Sequence, residues 1–348
     1  MTDTAVIILV LAIFVTILFG VVVWAHRRRI PVHQLPTGQE VISTRTRRRP
    51  APTAPVPAEP TEPRRPWAKG RRFPVPKIGR SRPEIPRAMP TADPRLTGPV
   101  LLEAAWQQSV YHGARTAGRF RVAIRVATAR GRSHAYEGTA GQDVAGVAWN
   151  EDRRAVFAVV ADGLGSKADS GQIAREVVDQ TLDLAERLQP NDDPTAMIHH
   201  VVRAIEQTAA HQGLDGATTL VIAEIRPDAH GAVVSTWGIG DSEAWLLQDG
   251  AWRVLHHERR SDAENVTRHL PGHCDVRTNS ARVQPGTVVT IASDGFATAL
   301  ATRGNSPVAQ ELAARWRKPP SPTDFLNQVN FDDSRFNDDR AAVSVWIR

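Results

Sequence analysis

AVFAVVADGLGS, residues Ala155–Ser166, is an apolar, β-branched run that stops at Asp162 and continues through two glycines. A run of this length, bounded by turn residues, reads as a buried strand. Its tip carries a carboxylate. Three further apolar strands are read as ending at an aspartate in the same way, at Asp241, Asp294 and Asp338. If these acidic strand ends meet, they form an oxygen-rich site of the kind that holds Mg²⁺ or Mn²⁺.

The neighbouring segments support a mixed fold. Asp143–Trp149 and Ala155–Ala161 read as a hairpin joined by Asn150-Glu151-Asp152, and Phe120–Thr128 alternates like a half-buried strand. Leu101–Arg115 reads as a helix with mixed faces. Ser170–Leu188 carries Ile173, Val177, Val178, Leu182, Leu184 and Leu188 on one helical side, and Pro194–Gln212 is a second helix. Strands follow at Thr218–Ile225, Ala232–Gly238, Ala244–Gln248 and Trp252–Leu255, with Asp249-Gly250 as a hairpin turn. Val288–Ala292 is another strand, short helices fall within Pro307–Trp316 and Thr323–Val329, and the chain closes on a strand at Ala341–Ile347. Strands come in runs with helix pairs between them, which is an α+β pattern and not a βαβ alternation. No glycine-rich phosphate loop or dinucleotide fingerprint is present.

The N-terminal region is of another kind. Residues 5–25 are 21 uncharged, apolar positions followed by His26-Arg27-Arg28-Arg29. At about 1.5 Å per residue such a helix spans roughly 30 Å, a bilayer's hydrocarbon core. The basic flank places the C-terminal bulk on the cytoplasmic side, with residues 1–4 outside. The expectation is a single-pass anchor in the cell membrane. Residues 26–99 then read as a disordered linker, rich in proline and arginine. Residues 1–98 hold 17 Lys and Arg against 6 Asp and Glu, so the overall +6 divides into +11 there and −5 in the remainder. The basic arm suits anionic lipid headgroups. It is proline-rich and lacks interleaved aromatics, and the rest of the chain is acidic, so no nucleic-acid partner is expected. The single cysteine, Cys274, has no disulfide partner within the chain.

The globular domain is expected over residues 100–348. Five fragments in it carry acids in order: Gly141-Gln142-Asp143, Asp162-Gly163-Leu164-Gly165-Ser166, Gly240-Asp241-Ser242, Ser293-Asp294-Gly295 and Asn337-Asp338-Asp339-Arg340. Singly each has the composition of a turn. Together, with Gly131-Arg132-Ser133-His134 before them and Gly216-Ala217-Thr218-Thr219 among them, they resemble the metal-dependent serine/threonine protein phosphatases of the 2C class, in their bacterial branch.

That resemblance, over roughly residues 120–348, implies a β-sandwich flanked by helix pairs, four layers in the order αββα. It implies a site for two Mn²⁺ or Mg²⁺ ions, with a third in some members. The metal-holding groups it implies are Asp143, Asp162, the carbonyl of Gly163, Asp294 and Asp338. Asp162 bridges the ions, and Asp241 serves the third with Asp294. Asp143, Asp162 and His134 are the expected catalytic residues, and Arg132 and His134 the expected contacts to substrate. The implied activity is hydrolysis of phosphoserine and phosphothreonine on proteins, by a metal-activated water without a covalent phosphoenzyme. Three departures stand out. Gln142 replaces one acid of the early pair, Leu164 stands where animal enzymes keep a histidine, and Glu243 follows Gly-Asp-Ser where arginine is common. A catalytically weak phosphatase-like domain that binds a phosphoprotein at the membrane is the competing reading. The pairs His199-His200 and His256-His257 are read as ordinary surface or helix residues.

Overall fold

The structure is a computed structural model describing residues 93–257, 267–272, 275–301, 306–333 and 335–348. The expected membrane span over residues 5–25, and the linker as far as residue 92, lie outside the described residues. Among the described residues no helix is long and apolar enough to cross a membrane.

The strands are β1 (Val100–Glu103), β2 (Ser109–Ala117), β3 (Phe120–Ala129), β4 (Val144–Asn150), β5 (Ala155–Ala161), β6 (Leu220–Asp228), β7 (Gly231–Ile239), β8 (Glu243–Gln248), β9 (Ala251–His256), β10 (Arg277–Val283), β11 (Val288–Ala292) and β12 (Arg340–Ile347). The helices are α1 (Arg132–Glu137), α2 (Ser170–Arg187), α3 (Pro194–Gln212), α4 (Asp294–Ala301), α5 (Pro307–Arg315) and α6 (Pro322–Val329). They form two antiparallel six-stranded sheets, in the orders β1-β4-β5-β6-β7-β10 and β2-β3-β12-β11-β8-β9.

Alternation along β5 shows how the layers arise. Val156, Ala158 and Val160 enter the core between the sheets, while Ala155, Phe157, Val159 and Ala161 pack under α2 and α3. Both faces are covered, so the run is apolar throughout. On the other sheet, Ala342 and Trp346 of β12 face α4, α5 and α6, and Val343 and Val345 face the inter-sheet core. This is the expected four-layer αββα arrangement. Three helices start alike: Asp193, Ser306 and Ser321 each accept a backbone N–H in the first turn, and a proline follows each at once. Asp249 and Gly250 both have positive φ, as a two-residue hairpin turn requires.

Several expectations are corrected. Leu101–Arg115 is not a helix. Its first part is β1, paired to β4 in one sheet, and its second is β2, paired to β3 in the other. Residues 104–108 carry the chain from one sheet to the other, and tertiary pairing overrides helix propensity. The fold also starts earlier than residue 100: Leu96 is fully buried in the inter-sheet core. Strand β10 and helices α1 and α4 were not expected. His256 is no surface residue; it ends β9 and is 1% exposed.

Candidate active site

Strand direction decides which side chains meet. In the first sheet β5 ends and β4 begins at one end, with Ala161 opposite Val144, and Ile239 of β7 pairs there with Leu220. In the second sheet β11 ends where β8 and β12 begin, Ala292 facing Glu243 and Ala342. Asp162 and Asp241 therefore follow strands, and Asp143 and Asp338 precede them. Asp294 follows β11 but opens α4. The expectation that Asp338 ends a strand is corrected: β12 starts two residues after it.

These ends surround a cavity of about 610 Å³ whose walls include Asp162, Asp241, Asp294, Asp338, His134 and Arg335. Asp143 lines an adjoining cavity and not this one; it is 2% exposed, and its Oδ2 has no hydrogen-bond partner. Burial, followed by the charges of neighbouring aspartates, holds the Asp143 carboxyl well above the usual carboxylate range, against a lowering hydrogen bond from Ser293. Asp162 is raised in the same way, first by burial and then by Asp143, Asp294, Asp338 and Asp241. Asp338 is raised mainly by burial. The five acids thus feel one another's charge. Glu243 adds a sixth: burial pushes it to about 7, although its carboxylate accepts a 2.8 Å hydrogen bond from Trp245 Nε1.

The loop after β5 is pinned by the Gly216–Thr219 segment. The Asp162 carbonyl accepts from the Thr219 N–H at 2.8 Å and from Thr218 Oγ1 at 2.9 Å. The Asp162 N–H donates to Thr219 Oγ1 at 3.2 Å, and Leu164 N–H donates to Ala217 O at 2.8 Å. Gly163 lies so close to Gln142 that a Cβ there would stand 2.6 Å from the Gln142 Cβ. Across the cavity, a Cβ on Gly295 would stand 2.0 Å from the Asp339 carbonyl oxygen. These are close approaches that only glycine allows.

Asp339, next to Asp338, was not singled out from the sequence. Its carboxylate accepts from the N–H groups of Gly131 at 2.5 Å and Gln142 at 2.6 Å. Its Oδ2 also stands 2.9 Å from His134 Nδ1, without hydrogen-bond alignment. Asp339 therefore ties α1 and the strand entry at Gln142 to the start of β12. Arg132, expected at the substrate, is half exposed and paired with Asp332, and it does not line the cavity. The arginine that does is Arg335, hydrogen-bonded to Asp333 and 72% exposed.

The donor set is hard oxygen throughout, with a buried carboxylate oxygen left unpartnered, and this suits Mg²⁺ or Mn²⁺. Among the described residues no three His, Cys, Asp or Glu side chains converge tightly enough to enclose an ion by themselves. Mg²⁺ retains several waters and is held through one or two carboxylates, so it does not require such a cluster. Asp162, Gly163, Asp241, Asp294 and Asp338 all line this cavity.

The family profile for Protein phosphatase 2C matches residues 130–328, more than half of the chain. No curated protein matches the chain by sequence. Among solved structures, the S. agalactiae serine/threonine phosphatase is similar at 14% identity and a TM-score of 0.52, covering 65% of this chain and 100% of its own. The Mycobacterium tuberculosis serine/threonine phosphatase PstP/Ppp is similar at 18% identity and a TM-score of 0.45, covering 65% of this chain and 99% of its own. At these identities the likeness concerns the fold alone. Profile and fold agree: the chain belongs to the protein phosphatase 2C family, the metal-dependent serine/threonine protein phosphatases that work with Mn²⁺ or Mg²⁺.

Proposed function

We propose that this chain is a membrane-anchored phosphatase that removes phosphate from serine and threonine side chains of proteins on the cytoplasmic side. The observation that carries the catalytic part is the gathering of Asp162, Asp241, Asp294 and Asp338, from both sheets, around one cavity. Asp162, the Gly163 carbonyl, Asp294 and Asp338 hold the metal pair in this reading, Asp241 serves a third ion, and Asp143 backs Asp162 with its charge. Bound there, the ions supply a nucleophilic water and neutralise phosphate charge.

The chain's own residues do the rest. Thr218 and Thr219 fix the Asp162 backbone through both its N–H and its carbonyl. Asp339 faces His134 Nδ1, and the opposite nitrogen, Nε2, faces the loop at Gly165. From there Nε2 can hydrogen-bond a phosphate or leaving-group oxygen. Arg335 brings the guanidinium that a phosphate binds bidentately. The anchor rests on residues 5–25, whose length and basic flank suit a single span.

The test is Mn²⁺-dependent hydrolysis of p-nitrophenyl phosphate and a phosphothreonine peptide by the full chain. Asp162→Asn and Asp294→Asn are each expected to lose nearly all turnover. No hydrolysis with any divalent ion would overturn the enzyme reading and leave a phosphoprotein-binding domain. Cell fractionation of the chain with and without residues 1–29 tests the anchor: release of the shortened form is expected, and release of both forms contradicts it.

A further inference from the structure

Beside the catalytic cavity lies a second one of about 500 Å³, and the two share His134, Glu137 and Gly165. Its polar lining includes Glu103, Glu137, Gln142, Ser166, Lys167 and Arg175. The two cations are already engaged: Lys167 Nζ lies 2.8 Å from Asp215, and Arg175 pairs with Glu103. Three acceptors of the lining are not engaged, the buried Asp143 Oδ2 among them. Glu137, at the end of α1, makes no ion pair or hydrogen bond among the described residues. Gln142 donates through Nε2 to the Lys167 carbonyl at 3.2 Å, which orients its amide, and its buried Oε1 has no partner. An occupant that donates hydrogen bonds and carries a positive charge answers the exposed Glu137 carboxylate. An arginine side chain has several donors in a planar fork and meets both needs.

The rim indicates a macromolecular occupant. Trp106 is 66% exposed and Tyr136 94% exposed, two of the three large apolar side chains left in solvent among the described residues. In sequence they are next to Ala105 and Glu137, which line the cavity, and the Arg130 guanidinium lies 5.0 Å over the Trp106 ring. Exposed aromatics of this kind mark surfaces that meet peptides and proteins.

We propose that the side cavity is a subsite for a basic residue, arginine ahead of lysine, flanking the phosphorylated residue of a protein substrate. The phosphate enters the catalytic cavity, and the basic side chain reaches the exposed Glu137, which lines both cavities. This rests on the phosphatase reading of the adjoining cavity.

The experiment uses the full chain and fluorescent phosphothreonine peptides. Arginine is placed singly at each position within three residues of the phosphothreonine, against an all-alanine flank. Binding is followed by anisotropy and turnover with Mn²⁺ by phosphate release. At one position or more, arginine should strengthen binding and raise kcat/KM about tenfold, as one charge-assisted contact allows. Glu137→Gln should flatten that preference, and Glu137→Lys should turn it toward aspartate-flanked peptides. Equal binding of all peptides, or a preference that survives Glu137→Lys, overturns the proposal. Arginine preference in binding without hydrolysis of any peptide or of p-nitrophenyl phosphate would instead remove the phosphatase reading and leave the subsite standing.

Discussion

A phosphate dianion entering a cavity walled by aspartates is repelled unless cations share the space. Arg335 is the arginine placed there, its guanidinium held by both oxygens of Asp333 at 2.6–3.3 Å. The Arg335 side chain is largely solvated, so the pair is screened by water and can be exchanged for a phosphate with the same fork geometry. Arg335→Ala should lower kcat/KM on phosphothreonine peptides about ten- to a hundredfold, the loss of one or two charge-assisted hydrogen bonds. Arg132→Ala, which releases Asp332 outside the cavity, should change it less than about twofold. Steady-state kinetics of the two variants decide, and equal losses would return Arg132 to the site. His256 gives a pH signature of its own. It is buried over Gly238, near Thr236 Oγ1 and Asn279, and burial, then His257 and Arg277, lowers it from 6.5 to about 4. The folded state thus binds the proton less readily than the unfolded chain. Stability from this group is full above about pH 6.5, falls as pH drops toward about 4, and changes no further below that. The span corresponds to about 3 kcal/mol. Urea unfolding of His256→Gln beside the parent should show the gap between them shifting by that order over this window. A pH-independent gap would contradict the buried neutral histidine.

Elements place these residues, and some of that placement is readable in advance. Helices α2 and α3 announce themselves by 3.6-residue periodicity, and the β4–β5 hairpin by two apolar runs around a turn. Asp162, Asp241 and Asp294 are marked by glycine neighbours, and Asp143 and Asp338 by their order in the chain. Arg335 is marked by nothing, because it sits in an aperiodic loop and reaches the cavity only through the start of β12. Residues 100–117 mislead because Leu, Glu, Ala and Gln favour helix locally, while pairing across two different sheets decides the outcome. Helix α4 is hidden because Asp294 resembles a strand-end turn, yet the chain turns there directly into a helix. Its Phe296 stacks on Trp316 at 6.2 Å, and Trp316 also meets Phe325 at 5.2 Å and Trp346 at 5.7 Å. This aromatic cluster fixes α4, and with it Asp294, against the second sheet. Trp316 is fully buried. Trp316→Ala should therefore cost about 3–5 kcal/mol. Urea unfolding measures this, and a loss below about 1 kcal/mol would mean that the helix layer does not depend on the cluster.

At the scale of the whole molecule, the cavity belongs to neither sheet. Asp143, Asp162 and Asp241 come from the first, and Asp294 and Asp338 from the second, so their repulsion acts across the end of the sandwich. Cations that bind there relieve repulsion between the two halves of the core, and metal binding is linked to global unfolding. A ligand at a hundred times its dissociation constant stabilises a folded protein by about 2.7 kcal/mol. Mn²⁺ should accordingly raise the melting temperature of the metal-stripped chain in a saturable, concentration-dependent way. Asp162→Asn keeps the shape of the side chain and removes the charge that faces four other aspartates. Its metal-free form should melt higher than the metal-free parent, because one source of repulsion is gone. Its Mn²⁺-induced rise should nearly vanish, because the carboxylate proposed to hold the ions is gone too. These opposite movements separate a metal-holding Asp162 from a merely structural one, whose loss would lower melting with and without Mn²⁺ alike. An unchanged Mn²⁺ shift in Asp162→Asn would place the ions elsewhere on the molecule.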